Sequence, residues 1–207
     1  MAQKARSSSV VDDAKKIAML AAPARVEIVT ALEAVGGAMT VAELADELGR
    51  PADGLYYHLR ALVRSGFLEE QIDAGVRRYR STVPPGQRSS LGYKPGVTAN
   101  AKAVGRVAAS MSRLSQRDFT RALALPGTKV EGALRELWAA RLRGWVGEAE
   151  LLQINRLLNE IIKLLHRPRS AHADKLIALH WILAPIDAKP ARRAAPAKSA
   201  TRRQDKP

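Results

Sequence analysis

Two adjacent tyrosines, a histidine and two arginines crowd into "GLYYHLRALVRSG", Gly54 to Gly66. Phenol and guanidinium groups can hold phosphate oxygens, and an arginine can pair with both major-groove acceptors of guanine. On a helix turning about 100° per residue, Leu55, Leu59 and Leu62 share one seam. Tyr57, Arg60, Arg64 and Asp53 project from the opposite face, while Tyr56 and His58 fall on the flanks. Aromatic residues make up only 4% of the chain. A merely solvated face would account for the arginines but not for an exposed tyrosine.

Such a helix must be held by others. "PARVEIVTALEAV" begins with Pro23, which suits a first helical turn, and stops at Gly36-Gly37. "TVAELADEL" follows, where Thr40 and Glu43 have the spacing of a capping box and Val41, Leu44, Ala45 and Leu48 supply a buried side. Gly49 ends it, Arg50 bridges, and Pro51 opens the tyrosine-bearing helix. Two helices joined by a tight glycine turn form a helix-turn-helix. Beyond Ser65-Gly66, "FLEEQI" and "VRRYRS" flank "DAG", a hairpin signal. Alternation sends Arg78 and Arg80 to one side and Arg77 and Tyr79 to the other, one set packing on the domain and the other reaching the DNA backbone or minor groove. A helix-turn-helix followed at once by a hairpin is a winged helix.

The rest of the chain is organised around this unit. Residues 1–9 read as a disordered arm, and 10–81 as the DNA-binding domain with a roughly helical pattern over 10–22. "TVPPGQRSSLGYKPG" (82–96) reads as a linker, and 97–188 as a mostly helical dimerisation or effector region. Residues 189–207, rich in Ala, Pro and basic side chains, read as a disordered tail. The expected fold class is therefore mainly α. Its strongest amphipathic segment runs from Glu148 to His166. Leu151, Ile154, Leu158, Ile161 and Leu165 make one stripe, broadened by Leu152, Leu157, Ile162 and Leu164. So broad a face needs two partners, and a second subunit is the expected second one. "ALRELWAARLRGWVG" reads as helical or mixed, and "KLIALHWILAPI" as either helix or buried strand. Trp138, Trp145 and Trp181 are expected as core anchors, or else as the walls of a small-molecule effector pocket.

Charge and composition bound the function. The chain carries a net charge of +14, which favours nucleic acid or an anionic membrane as a long-range partner. Residues 82–147 hold eleven basic against three acidic side chains and 189–207 seven against one, whereas 24–81 hold seven against nine. Specificity is thus expected in the least basic region and bulk affinity in the others. Lys102, Arg106, Arg113 and Arg117 lie along one helix side, either solvated or extending the DNA footprint. Cysteine is absent, which removes thiolate metal sites and thiol nucleophiles and suits a reducing cytoplasm. No apolar run spans a membrane, and "KKIAMLAAPA" only imitates a signal peptide, being short and preceded by Asp12 and Asp13. His166, His172 and His180 stand six and eight residues apart, off any common helix face, so no metal or other cofactor is expected. Neither a phosphate-binding glycine motif nor a nucleophile elbow occurs, so no enzyme is expected.

"PARVEIVTAL", "TVAELADELGRPADGLYYHLRALVRSGFLEE" and "DAGVRRYR" together resemble the ArsR-like winged-helix regulators over residues 23–81. That resemblance implies a dimeric DNA-binding transcriptional regulator, with Asp53, Gly54, Tyr56, Tyr57, Arg60 and Arg64 at or near the groove. Soft-metal sensing by cysteines is not implied, because the chain has none. Base preferences do not carry over either, since many members have Ser or Thr where Gly54 and Tyr56 stand. The expected DNA-facing set is completed by Thr40 and by Arg77, Arg78 and Arg80. The expected partners are double-stranded DNA and a second copy in the cytoplasm, associated with the nucleoid. Two other readings stay open: a nucleoid-type architectural protein without sequence choice, and a winged-helix module that binds protein.

Overall fold

Proline, glycine and capping residues set the element boundaries in a computed structural model of the chain, which describes residues 9–85, 87–165, 167, 172 and 175–187. A short strand β1 (Ser9–Val11) leads into α1 (Ala14–Met19), whose first turn is capped by the Asp13 carboxylate accepting from Lys16 N–H at 2.7 Å. This replaces the single helical pattern expected over 10–22. Helix α2 (Pro23–Val35) starts on proline and ends on Gly36 at φ 66°. Helix α3 (Val41–Leu48) carries the full capping box: Thr40 N–H donates to Glu43 at 2.7 Å, and Glu43 N–H donates to Thr40 Oγ1 at 3.2 Å. Gly49 closes α3 at φ 57°, a left-handed turn that costs glycine little. Helix α4 (Asp53–Arg64) follows at once.

The wing is the antiparallel hairpin of β2 (Leu68–Asp73) and β3 (Val76–Ser81), in register from Leu68–Ser81 to Asp73–Val76. Its two-residue loop holds Ala74 at φ 48° and Gly75 at φ 80°. Positive φ at both central residues matches the twist of a tight hairpin. Met39 and Tyr79 exchange both backbone hydrogen bonds, at 2.8 and 2.7 Å, so the segment ahead of α3 serves as a third edge. The architecture is a winged helix-turn-helix within a mainly helical chain.

Residues 82–96, expected as a linker, contain β4 (Ser89–Leu91), which pairs in parallel with β1. Buried polar groups fix this stretch. The Glu33 carboxylate accepts from Ser89 N–H at 3.0 Å, and the Asn100 side chain accepts from Lys94 N–H and donates to Gly92 C=O. At Gly92 a Cβ would sit 2.7 Å from the Asp12 Cβ, so only glycine lets the two strands close. Helix α5 (Thr98–Ala124) then runs about 40 Å and packs its first half on α1 and α2. Ala103 and Val107 join the same buried cluster as Ile17, Leu32, Leu44, Leu59 and Leu62. The boundary expected near residue 97 therefore cuts through one core. Periodicity located the helix but could not say which core its modest apolar side joins.

Beyond α5, the helix α6 (Glu148–Leu165) forms as expected. Residues 136–147 and 175–187 contain neither helix nor strand. Trp138 and Trp145 are exposed, and Trp181 is half-buried. This corrects their expected role as core anchors, since no second layer of the described chain covers them. The Arg135 guanidinium does stack on the Trp138 ring at 4.1 Å. No described helix is long and apolar enough to cross a membrane. The expectations for residues 1–8, His166 and 189–207 fall outside the described residues.

Candidate nucleic-acid interface

Helix α4 buries Leu55, Leu59, Ala61 and Leu62 against the core, which turns its other face outward. Asp53, Gly54, Tyr56, Tyr57, Arg60 and Arg64 are all exposed there, Tyr57 at 60% and Tyr56 at 43%. Leucines at i, i+4 and i+7 impose this division, since residues three and four apart share a helix side. Neither Arg60 nor Arg64 forms an ion pair within the described residues. Two cations and two phenols thus project from one rigid element with their hydrogen-bonding groups open.

Tyr57 does not stand alone at its root. Its ring meets His58 edge-on at 5.3 Å, and the Arg25 guanidinium lies 5.7 Å from its centroid. A cation near that distance of an aromatic face is attracted by the ring quadrupole. His58 is half-buried, and its Nδ1 has no hydrogen-bond partner. Burial, then the charges of Arg25 and Arg50, push its pKa below the ordinary imidazole value. These causes favour the neutral imidazole where it meets the tyrosine ring.

The wing is disposed differently. Arg77 reaches Glu70 at 3.1 Å, and Arg80 places both Nε and Nη2 on Glu69, at 2.9 and 2.6 Å. Arg78 is half-buried and donates to Ala38 C=O and to Glu43, both at 3.4 Å. Its stem packs on the domain, and it joins the wing to the capping box of α3. The Glu43 carboxyl is held below its ordinary range, first by the Thr40 N–H and Thr40 hydroxyl, and less by Arg78. Tyr79, which shares a strand face with Arg77, is buried. Thr40, Val41, Ala42, Tyr56 and Arg77 line an open groove of about 440 Å³ between the start of α3, the α4 face and the wing. Of the groove's lining, Arg77 supplies a guanidinium and Thr40 and Tyr56 supply hydroxyls.

Residues 20–71 match a family model described as a helix-turn-helix domain. The match begins at the end of α1 and ends within β2, so it spans α2, α3, the turn and α4 but stops short of β3. No curated protein matches the chain. In helix-turn-helix proteins the second helix lies in the major groove with its leading residues on base edges. The matched domain supports DNA binding, and α4 is its second helix.

Sequence reasoning missed Arg25, Glu27 and Arg50. Glu27 is deeply set in the α2–α4–α5 corner, its side chain 13% exposed. Arg50 Nη2 and Arg117 Nη2 each approach one of its carboxylate oxygens at 2.5 Å. Arg117 also donates to Asp118, and the Glu27 hydrogen bond raises its pKa further. Lys102, Arg106 and Arg113 are exposed as a basic row, but Arg117, placed with them by spacing, turns inward. The one available signal was Glu27 itself, an acid set between Val26 and Ile28 on α2. Of the expected dimer stripe, Leu151 and Leu165 are exposed and Ile154, Leu158 and Ile161 half-buried.

Proposed function

We propose that the protein is a sequence-specific DNA-binding transcriptional regulator of the ArsR-like type, acting as a homodimeric repressor and not as an enzyme. The observation that carries this reading is the outer face of α4. Tyr57, Arg60 and Arg64 project together there, and the two arginines are free of carboxylates within the described residues. An arginine already bound to an acid must give up that partner to reach a base, whereas these need not. Bidentate arginine–guanine pairing discriminates by roughly 1–3 kcal/mol per contact. Two copies related by a two-fold axis would read half-sites about one turn of DNA apart. The apolar face of α6 is the candidate seam.

Selection of bound sequences from random DNA, followed by titration of the selected and a scrambled duplex, tests the reading. A pseudo-palindromic consensus bound far more tightly than the scramble is expected. Equal affinity for both, falling steeply with salt, would instead favour the architectural reading. The exposed row of Lys102, Arg106 and Arg113 is what lends that alternative weight.

A further inference from the structure

The recognition helix α4 begins without the device that begins α3. Its N-cap position is Ala52, in right-handed helical conformation and with no side-chain hydrogen bond, whereas α3 has a reciprocal capping box. What fixes the approach to α4 is the residue before Pro51. Arg50 N–H donates to Ala45 C=O at 3.0 Å, which seats the turn on the end of α3. Its guanidinium is anchored on Glu27 of α2. The same carboxylate takes Arg117 from α5 on its other oxygen, so one half-buried anion is shared by two cations from distant parts of the sequence.

We infer that Glu27 and Arg117 are positioning residues for the recognition helix: α5 sets the pose of α4 through the Arg117–Glu27–Arg50 bridge, and Arg117 thereby contributes to sequence discrimination without touching DNA. This rests on the DNA-binding reading of α4. The physical basis is the geometry of a shared carboxylate. With Arg117 in place, each oxygen of Glu27 has one guanidinium, and the carboxylate plane is fixed by both. Without Arg117 the carboxylate is free to rotate toward Arg50, and the turn it anchors loses its fixed position. Base contacts depend on the placement of α4 far more than phosphate contacts do, because donor and acceptor must meet in a fixed fork. A shift of the turn should therefore act on discrimination before it acts on overall affinity.

The test uses the full chain with Arg117→Met, which keeps the stem, Arg117→Lys, which keeps the charge, and Glu27→Gln. Each is titrated with the selected duplex and with a scrambled one at a fixed salt concentration, alongside thermal unfolding. Arg117→Met is expected to bind the selected duplex about tenfold more weakly and the scramble unchanged, with Glu27→Gln behaving alike. Arg117→Lys should recover only part of the loss, because an ammonium does not reproduce the planar fork. Equal losses on both duplexes, fully restored by lysine, would mean Arg117 supplies only charge and would overturn the inference. So would wild-type discrimination in a folded Arg117→Met protein. Should Arg117→Met unfold, Arg117→Lys and Glu27→Gln decide between the same outcomes. A wild-type protein with no preferred sequence sinks the regulator reading itself, whereas a preferred sequence indifferent to Arg117 sinks only the bridge.

Discussion

From Val11 to Val107 seventeen side chains form one buried cluster, drawn from β1, all of the first five helices and the wing. From Lys129 to Asp187, Leu137 is the one buried hydrophobic side chain among the described residues, while Trp138, Leu142, Trp145, Leu152 and Ile182 stand exposed. Both regions carry apolar patterns that demand cover, but only the first supplies it. The difference lies in layering. In the head, α2 packs against α3, α4 and the wing on one side and α5 on the other, and α1 packs on α5, so their apolar side chains meet in one cluster. In the second region, residues 136–147 ahead of α6 and 175–187 beyond it form neither helix nor strand. A hydrophobic pattern says which side chains must leave water; it does not say which chain covers them.

The sharpest way to break this contrast is to truncate one leucine in each region. Leu59→Ala, fully buried on α4, is expected to lower the stability of the head by about 2–5 kcal/mol in thermal or denaturant unfolding. Leu157→Ala, on the exposed side of α6, should leave that transition in place and instead weaken self-association in sedimentation. Comparable losses of unfolding stability in the two variants would show that the second region has a core of its own.

Within the head, the same logic separates recognition helix from wing. Arg60→Ala and Tyr57→Ala should each reduce binding to the selected duplex by about 1–3 kcal/mol. Arg80→Ala should cost less, because its guanidinium already lies on Glu69 and must be released before it can serve DNA. An Arg80→Ala loss as large as that of Arg60→Ala would place the wing among the primary contacts.

Thr40→Ala should destabilise the head by about 1 kcal/mol through loss of the cap. It should also alter the acid limb of stability. The Glu43 carboxyl is lowered in the fold, so its contribution is present above the ordinary glutamate pKa and is lost as pH falls through the lowered value. Without the Thr40 hydroxyl, that acid-side loss should shrink when unfolding is followed against pH. A pH profile parallel to wild type would assign the lowering to Arg78 or to the backbone instead.

The smallest expected effect is also the most diagnostic. A Cβ at Gly54 would meet nothing within 4 Å, and the residue sits in the first turn of α4. Gly54→Ala should therefore stabilise the helix by up to about 1 kcal/mol. If DNA approaches the backbone there, the same change should weaken binding. A variant that is both more stable and equally tight would remove Gly54 from the interface.

Much of the head could be read directly from residues. Leu55, Leu59 and Leu62 predicted which face of α4 is buried, Thr40 and Glu43 predicted the cap, and "DAG" the hairpin turn. These are local signals, decided within one turn or one loop. What stayed hidden depends on partners far apart in sequence. The ordering of 82–96 rests on Glu33 and Asn100, and the inward turn of Arg117 rests on Glu27. The wing arginines illustrate the limit from the other side: alternation expected one set to pack on the domain and the other to reach out. Each set is instead split, Tyr79 buried beside exposed Arg77 and Arg78 half-buried beside exposed Arg80, because acids of β2 and α3 hold the guanidinium groups.

The pairing of β1 with β4 makes the two ends of the molecule unequal as handles. Gly92 N–H donates to Val11 C=O, and Lys94 meets Asp12 at 2.8 Å. Whatever is fused or tethered ahead of Ser9 therefore pulls on the strand that closes the base of α5, within reach of the domain that carries the recognition helix. A load applied after Asp187 instead acts on a region with scarcely any core to resist it. A fluorophore near the first end should sense changes in the DNA-binding head more strongly than one near the second.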